Sequence, residues 1–191
     1  MDRFSRMNRP VIVLPYDPEW PKAFDRIAFD LSHLLAKFPH RIEHVGSTAV
    51  PGLAAKPRID LDILVPDEAT KANALATLEA FGFHHRGDLG IIGREALLSP
   101  QPYQQQWMDH NLYLCIEGIP AVQNHLGIRD YLRQHPEAVA EYSALKLKLA
   151  EQFPNDQDTY TERKTPFLLT ILEKIGMSEA DRKDIEDQNT L

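Results

Sequence analysis

Apolar side chains recur at helical spacing early in the chain. Between Trp20 and Leu34 an apolar position returns every three or four residues, which predicts an amphipathic helix that ends near Lys37. Asp17 and Pro18 precede it and have the residue types of an N-cap and a first helical position. The apolar run at residues 11–15 predicts a short strand before this helix.

A different period follows at residues 58–65, where apolar and other side chains alternate. The odd-numbered residues from 59 to 65 are all apolar and share one face of the predicted strand, whereas Asp60 and Asp62 share the other. Further strands are predicted at 41–45, 94–98 and 110–117. A helix is predicted between the cap residue Asp67 and Gly82, which has the residue type of a helix stop.

The last third of the chain has only helical patterns, at about 120–134, 136–152 and 158–175. The polar segment before residue 110 predicts a surface loop. We therefore predict an α+β (α/β) protein in which a mixed sheet with flanking helices is followed by a helical bundle. The predicted divisions are an α/β core at 1–118, a helical region at 119–176 that packs on it as one compact unit, and a polar tail at 177–191.

Composition narrows the possible partners. The 191 residues carry a net charge of −7, and proteins that coat nucleic acid or anionic membranes are usually basic. No apolar run has the length of a membrane span. The single cysteine, Cys115, excludes an internal disulfide and lies in an apolar run. We therefore expect a cytoplasmic protein that does not bind membranes or long nucleic acids.

Asp60 and Asp62 are the first candidates for chemistry. Two carboxylates on one face of an apolar strand repel each other and lose hydration. A divalent cation between them removes both costs, and their hard oxygen atoms suit Mg²⁺ or Mn²⁺ rather than zinc. Such ions serve phosphoryl and nucleotidyl transfer. The alternative is an edge strand whose polar face is solvated.

The segment before the strand favours the cation site over the solvated edge strand. Gly46 allows a ligand to approach the backbone, and Ser47 and Thr48 supply hydroxyl and amide groups for phosphate oxygens. Lys56 and Arg58 add positive charge between the turn and the aspartates.

The pattern of a Gly-Ser turn followed by D-x-D on a strand resembles the DNA polymerase beta-like nucleotidyltransferase superfamily. The longer string "HVGSTAVPGLAAKPRIDLDILV" is similar to the GrpB family, as are "VLPYDPEWPKAF", "GIRDYLRQHPEAVAEYSALKLKLA" and "YTERKTPFLLTIL". The resemblance covers about residues 10–173.

The resemblance implies roles for particular residues. Gly46 and Ser47 would hold nucleotide phosphates, and Asp60 and Asp62 would hold the metal ions. A third acid on a neighbouring strand normally completes the site. Proteins that resemble this one tend to have H-H-L-H-V there, whereas this chain has "HNLYL", so His110 is the retained candidate.

Further phosphate- or base-binding candidates follow from the resemblance. His44 matches the family string, although a structural contact is an equal alternative. The helical half supplies four basic candidates: Arg129, Arg133, Lys146 and Lys164. Surface ion pairs are the alternative for the first three.

The predicted function is metal-dependent transfer of a nucleoside monophosphate from a nucleoside triphosphate to an acceptor. The net acidity favours a small molecule or a protein as acceptor. One alternative is a nucleotide- or cofactor-binding domain without turnover, linked to coenzyme A or nucleotide metabolism. Another is a structural interaction domain, which would leave the two aspartates unexplained.

Overall fold

The computed structural model describes residues 10–189. Its sheet has five strands in the order β1-β2-β5-β4-β3. Strands β2 and β5 are parallel, and the other neighbouring pairs are antiparallel. The strands are β1 (Arg41–Val45), β2 (Ile59–Val65), β3 (His84–His85), β4 (Arg94–Leu98) and β5 (His110–Ile116). The mixed sheet predicted from the sequence is confirmed.

Seven helices occur within the described residues. They are α1 (Glu19–Leu34), α2 (Glu68–Ala80), α3 (Gln101–Gln106), α4 (Pro120–Gln134), α5 (Pro136–Gln152), α6 (Gln157–Lys174) and α7 (Glu179–Asn189). The predicted cap Asp67 is the N-cap of α2, and its Oδ1 accepts from the Thr70 N–H at 2.7 Å. At α1 the N-cap position is Pro18 rather than the predicted Asp17, whose Oδ1 accepts from the Glu19 N–H at 2.9 Å. None of the helices in residues 10–189 has the length and apolarity to cross a membrane.

Two local predictions are wrong. Residues 11–15 do not join the sheet, because the only pairing shown for them is an isolated antiparallel bridge between Leu14 and Ala55. The predicted surface loop before residue 110 contains helix α3, and the residue after this helix, Trp107, is buried. The Trp107 Nε1–H donates to Asp30 on α1 at 2.9 Å, so one aromatic anchor orders a polar segment.

The described chain forms two compact units. The sheet unit comprises residues 17–49 and 58–126, and the helical unit comprises residues 10–16, 50–57 and 127–189. This grouping differs from the division at residue 118, because two segments from the first third of the chain belong with the late helices. The ends of the predicted divisions, 1–9 and 190–191, lie outside the described residues.

In the sheet unit, the two faces of the sheet carry different side chains. The odd-numbered residues of β2 pack with Leu112 and Leu114 of β5 on one face, where helices α1 and α2 contact the strands. On the other face, Leu64 and Cys115 form an apolar cluster with Val122 at the start of α4. Asp60 and Asp62 lie on this second face.

The helical unit has its own core, formed by α4 from residue 127 onward and by α5 and α6. Residues 50–57 contribute apolar side chains to it. The buried cluster consists of Val50, Leu53, Leu132, Val139, Tyr142 and Ile171. The predicted late helices are confirmed to within one residue at each end.

Candidate active site on the acidic face of the sheet

Strand pairing defines which side chains surround the two aspartates. Directly paired residues of neighbouring strands have side chains on the same face. Asp60 is in register with Val45 of β1 and Asn111 of β5, whereas Asp62 is in register with Glu43 and Tyr113. The acidic face is therefore formed by three adjacent strands.

Asp60 is half-buried and lies against the Gly-Ser turn. Gly46 has φ +70°, and a Cβ atom at this position would lie 2.9 Å from Asp60 Cγ and closer still to Oδ2. The side-chain amide of Asn111 donates to Asp60 Oδ1 at 2.7 Å. Only glycine therefore satisfies both the backbone conformation and the space beside this carboxylate. The predicted turn and the first aspartate are adjacent.

A hydrogen-bonded chain fixes the turn to the start of β2. Thr48 lies in the single 3₁₀ turn Ser47–Ala49. Its hydroxyl donates to the Arg58 carbonyl at 3.2 Å, and His44 Nε2 lies 3.0 Å from the hydroxyl oxygen of Thr48. The His44 ring stacks on Phe24 at 4.6 Å. Because these contacts bury His44 and Thr48, both residues support the turn from within the protein. Ser47 is half-buried and is the more accessible side chain of the turn.

Asp62 is fully buried, at 0% exposure. Its Oδ2 accepts a hydrogen bond from His125 Nδ1 of α4 at 2.7 Å. Its Oδ1 has no hydrogen-bond partner within the described residues. Burial lowers the pKa of His125, but the charge and hydrogen bond of Asp62 outweigh it, so the pKa is raised above its ordinary value. Asp62 therefore faces the His125 imidazole on one oxygen only, and its charge favours the protonated form of that ring.

His110 lies on the opposite face from the aspartates, because it is in register with Ile59. Its Nε2 contacts Ser99 Oγ at 2.7 Å, and its Nδ1 lies 2.9 Å from the Met108 carbonyl. A serine hydroxyl beside a histidine ring is also the arrangement of a catalytic nucleophile and its base. Ser99, however, is only 2% exposed, and burial lowers the pKa of His110. The structure thus does not bring His110 to the site, and the pair is structural.

The two acids that flank β5 are each paired with an arginine. Asp109 is exposed and accepts from Arg58 at 2.7 and 2.8 Å. Glu117 is exposed, 3.5 Å from Arg41, and Glu43 of β1 forms an ion pair with the same arginine. The residue that faces Asp60 from β5 is thus the neutral Asn111.

The donor set fits one divalent cation. Asp60 and Asp62 provide hard oxygen atoms on one face, and an orphaned, buried carboxylate oxygen at Asp62 requires a partner. In the described residues, no group of three or more His, Cys, Asp or Glu side chains is arranged to hold a metal ion. The residues therefore suit a single Mg²⁺ or Mn²⁺ held by two carboxylates, with an amide in place of a third acid.

The predicted basic residues of the later chain belong to the helical unit. Lys56 Nζ lies 4.5 Å and Lys164 Nζ 5.8 Å from the ring centroid of Tyr160. Lys146 is buried, with its Nζ 4.6 Å from the ring centroid of Tyr142. These contacts make a group of lysines over aromatic rings within one unit.

The two arginines of α4 differ from each other. Arg129 is buried, and its Nε donates to Asp130 at 2.7 Å. Arg133 is exposed in the last turn of the helix. Arg129 therefore forms a local ion pair, which was the alternative to a role in ligand binding.

Sequence reasoning missed two residues of the acidic face. His125 lies 63 positions after Asp62, and only the docking of α4 on the sheet brings them together. Asn111 is not among the predicted site residues, because only the register of β2 and β5 places its side chain on the same face as Asp60. The alternation of "HNLYL" separates His110 from Asn111, and that signal was available.

The sheet topology and the acidic pair define a protein with a nucleotidyltransferase-like fold. A structure of the Cid1 poly(U) polymerase bound to MgATP superposes with a TM-score of 0.55, over 83% of this chain and 51% of that chain, at 13% identity. At this identity the likeness shows the fold alone. The GrpB protein family model matches residues 10–174, and the chain belongs to the GrpB family.

Individual relatives agree with this assignment. The crystal structure of the conserved protein GrpB from Enterococcus faecalis has a TM-score of 0.71 and 30% identity, over 86% of this chain and 99% of that one. The YqkA protein of Bacillus subtilis is 33% identical over 87% of this chain, which spans 47% of the length of YqkA. A protein of Mycolicibacterium paratuberculosis named dephospho-CoA kinase is 29% identical, over 83% of this chain and 44% of its own length.

Proposed function

We propose that this GrpB-family protein binds a nucleoside triphosphate with one divalent cation at Asp60 and Asp62. The observation that carries this proposal is the contact between Gly46 and the Asp60 carboxylate, which puts a turn suited to phosphate beside a carboxylate pair suited to a cation. Gly46 is exposed and Ser47 half-buried, so backbone and hydroxyl groups of the turn are available to phosphate oxygens.

The reaction we propose is nucleotidyl transfer. A bound Mg²⁺ or Mn²⁺ would neutralise the phosphate charge that develops during transfer. The turn at Gly46 and Ser47 would hold the phosphates in line with an acceptor hydroxyl. The acceptor oxygen forms a bond to the α-phosphorus, the bond to the pyrophosphate oxygen breaks, and the acceptor proton goes to water. The acceptor we propose is a small molecule or a protein, in keeping with the net charge of −7.

His44 and Thr48 would shape the turn, and His110 has no part in the proposed reaction. The basic residues Lys56, Lys146 and Lys164, with Arg129 and Arg133, remain proposed phosphate ligands of the helical unit, to be tested one at a time. The compartment we propose is the cytoplasm, which the single, buried Cys115 supports.

The second candidate is nucleotide or cofactor binding without turnover. It is favoured by Asn111, which occupies the β5 position facing Asp60 and donates an amide proton to the carboxylate. An amide does not take a proton from an acceptor as a carboxylate does. The relative named dephospho-CoA kinase extends this candidate to coenzyme A metabolism.

Calorimetry with each of the four nucleoside triphosphates, with and without Mg²⁺, tests the proposal. We expect Mg²⁺-dependent binding in the wild type and its loss in Asp60→Ala and Asp62→Ala. Exposed Asp88→Ala is the matched control and should bind as the wild type does. Absence of Mg²⁺-dependent binding in the wild type would overturn the first candidate. Binding without pyrophosphate release across a panel of acceptors would favour the second.

A further inference from the structure

The two oxygen atoms of the Asp62 carboxylate are in different states. Oδ2 accepts from His125 Nδ1 at 2.7 Å, whereas Oδ1 is buried with no hydrogen-bond partner within the described residues. A buried acceptor left in this state costs about 1–3 kcal/mol. One oxygen of this carboxylate is therefore held, and the other is buried and lacks a partner within the described residues.

The position of His125 is set by its apolar neighbours on α4. Val122 packs into the cluster with Leu64 and Cys115, and Leu126 packs against the same cluster. Residues three and four apart lie on the same side of a helix, so these anchors turn His125 towards the acidic face. The imidazole is thus carried to Asp62 by the packing of the helix as well as by its own hydrogen bond.

From this geometry we propose that His125 is a positioning residue for the metal. By holding Oδ2, it fixes the rotation of the Asp62 carboxylate so that Oδ1 becomes the single atom that ligates the divalent cation shared with Asp60. Partners that orient a ligating carboxylate typically change metal affinity by about 10–100-fold. The inference rests on the cation site of the proposed function and adds a residue of α4 to it.

Mn²⁺ binding, followed by calorimetry or by the spin resonance of the free ion, tests this role without any turnover. We expect His125→Ala to weaken Mn²⁺ binding by about 10–100-fold. His125→Asn should stay within about threefold of the wild type, because the asparagine amide N–H can occupy the place of Nδ1–H. His125→Gln carries its amide one bond further out and should not restore binding. A role in folding alone would not separate Asn from Gln.

Exposed His33, on α1, is the matched control. Its Nδ1 contacts the Phe29 carbonyl at 2.9 Å, and His33→Ala should bind Mn²⁺ as the wild type does. Wild-type binding with unchanged affinity in His125→Ala would overturn the positioning role and leave the proposed function intact. Absence of Mn²⁺ binding in the wild type would overturn both. If His125→Ala does not fold, equal affinities of the Asn and Gln variants would overturn the positioning role.

Discussion

The two faces of the sheet each carry a carboxylate with little exposure and a histidine partner, but only one of these carboxylates is fully satisfied. On the face covered by α1 and α2, Glu95 of β4 accepts from His85 Nε2 at 2.8 Å and from Lys71 Nζ at 3.2 Å, one partner for each oxygen. On the other face, Asp62 has a partner at Oδ2 only.

This difference distinguishes a structural network from a candidate binding site. Burial raises the pKa of Glu95, but the hydrogen bonds and charges of His85 and Lys71 outweigh it and hold the pKa below its ordinary value. A carboxylate so compensated gains nothing from a further cation. Asp62 keeps one buried oxygen without a partner, a cost that natural proteins retain mainly at functional positions.

The largest effect is expected at the turn on the acidic face. Gly46→Ala forces a side chain into a φ of +70° and against the Asp60 carboxylate, and we expect it to lower the free energy of unfolding by about 3 kcal/mol. Gly118→Ala is the control, because φ there is +80° and no atom lies within 4 Å of the added Cβ. It should cost about 1–2 kcal/mol. Urea unfolding of both variants measures the difference, and equal losses would show that Asp60 moves aside freely.

The second effect is expected in the satisfied network. Glu95→Ala leaves Lys71, a lysine that is largely buried, without one of its two carboxylates, and we expect a loss of about 2 kcal/mol in the free energy of unfolding. The exposed Glu79 on the same helix as Lys71 provides the control, and Glu79→Ala should stay within about 0.5 kcal/mol of the wild type. Chemical denaturation checks both. A loss at Glu95 no larger than that at Glu79 would mean that the network contributes nothing to stability.

A smaller effect on stability is expected at Asp62. When Asp62→Asn removes the carboxylate, its partner His125 can become neutral at pH 8, whereas Lys71 stays charged when Glu95→Ala removes its carboxylate. We therefore expect the free energy of unfolding to change by less than about 1 kcal/mol, while Mn²⁺ binding is lost. Denaturation and calorimetry on the same preparation measure both. A loss as large as that of Glu95→Ala would remove the contrast between the two faces and make Asp62 a structural residue.

The sequence was sufficient for most elements of the fold because their signals are local. The alternation at 58–65 and the helical period after Pro120 fall within one or two residues of β2 and the late helices. The errors occur where distant contacts override local pattern. Residues 11–15 have strand composition but pair through a single bridge, and α3 depends on the burial of Trp107 against α1.

The sequence predicted only those site residues that lie together in one segment of the chain. Gly46 and Asp60 lie in one quoted string, and the structure brings them into contact. The partners from β5 and α4 depend on strand register and on helix docking, neither of which a single sequence encodes locally. His110 was therefore chosen over Asn111, and His125 was missed entirely.

The smallest effect, a pH dependence, should have opposite signs on the two faces. Glu95 has a pKa below its ordinary 4.5, so its stabilisation is present above about pH 4.5 and is lost as the pH falls through the lowered value. His125 has a pKa above its ordinary 6.5, so its stabilisation is complete below about pH 6.5 and is lost as the pH rises through the raised value.

Unfolding free energies of the wild type, Glu95→Gln and His125→Asn between about pH 3 and 9 separate the two contributions. The difference between wild type and Glu95→Gln should shrink only at the acid end. The difference between wild type and His125→Asn should shrink only at the alkaline end, because asparagine keeps the hydrogen bond and cannot acquire the charge. If the second difference instead grew with pH, His125 would be neutral beside Asp62, and the carboxylate would have no cationic partner on that oxygen.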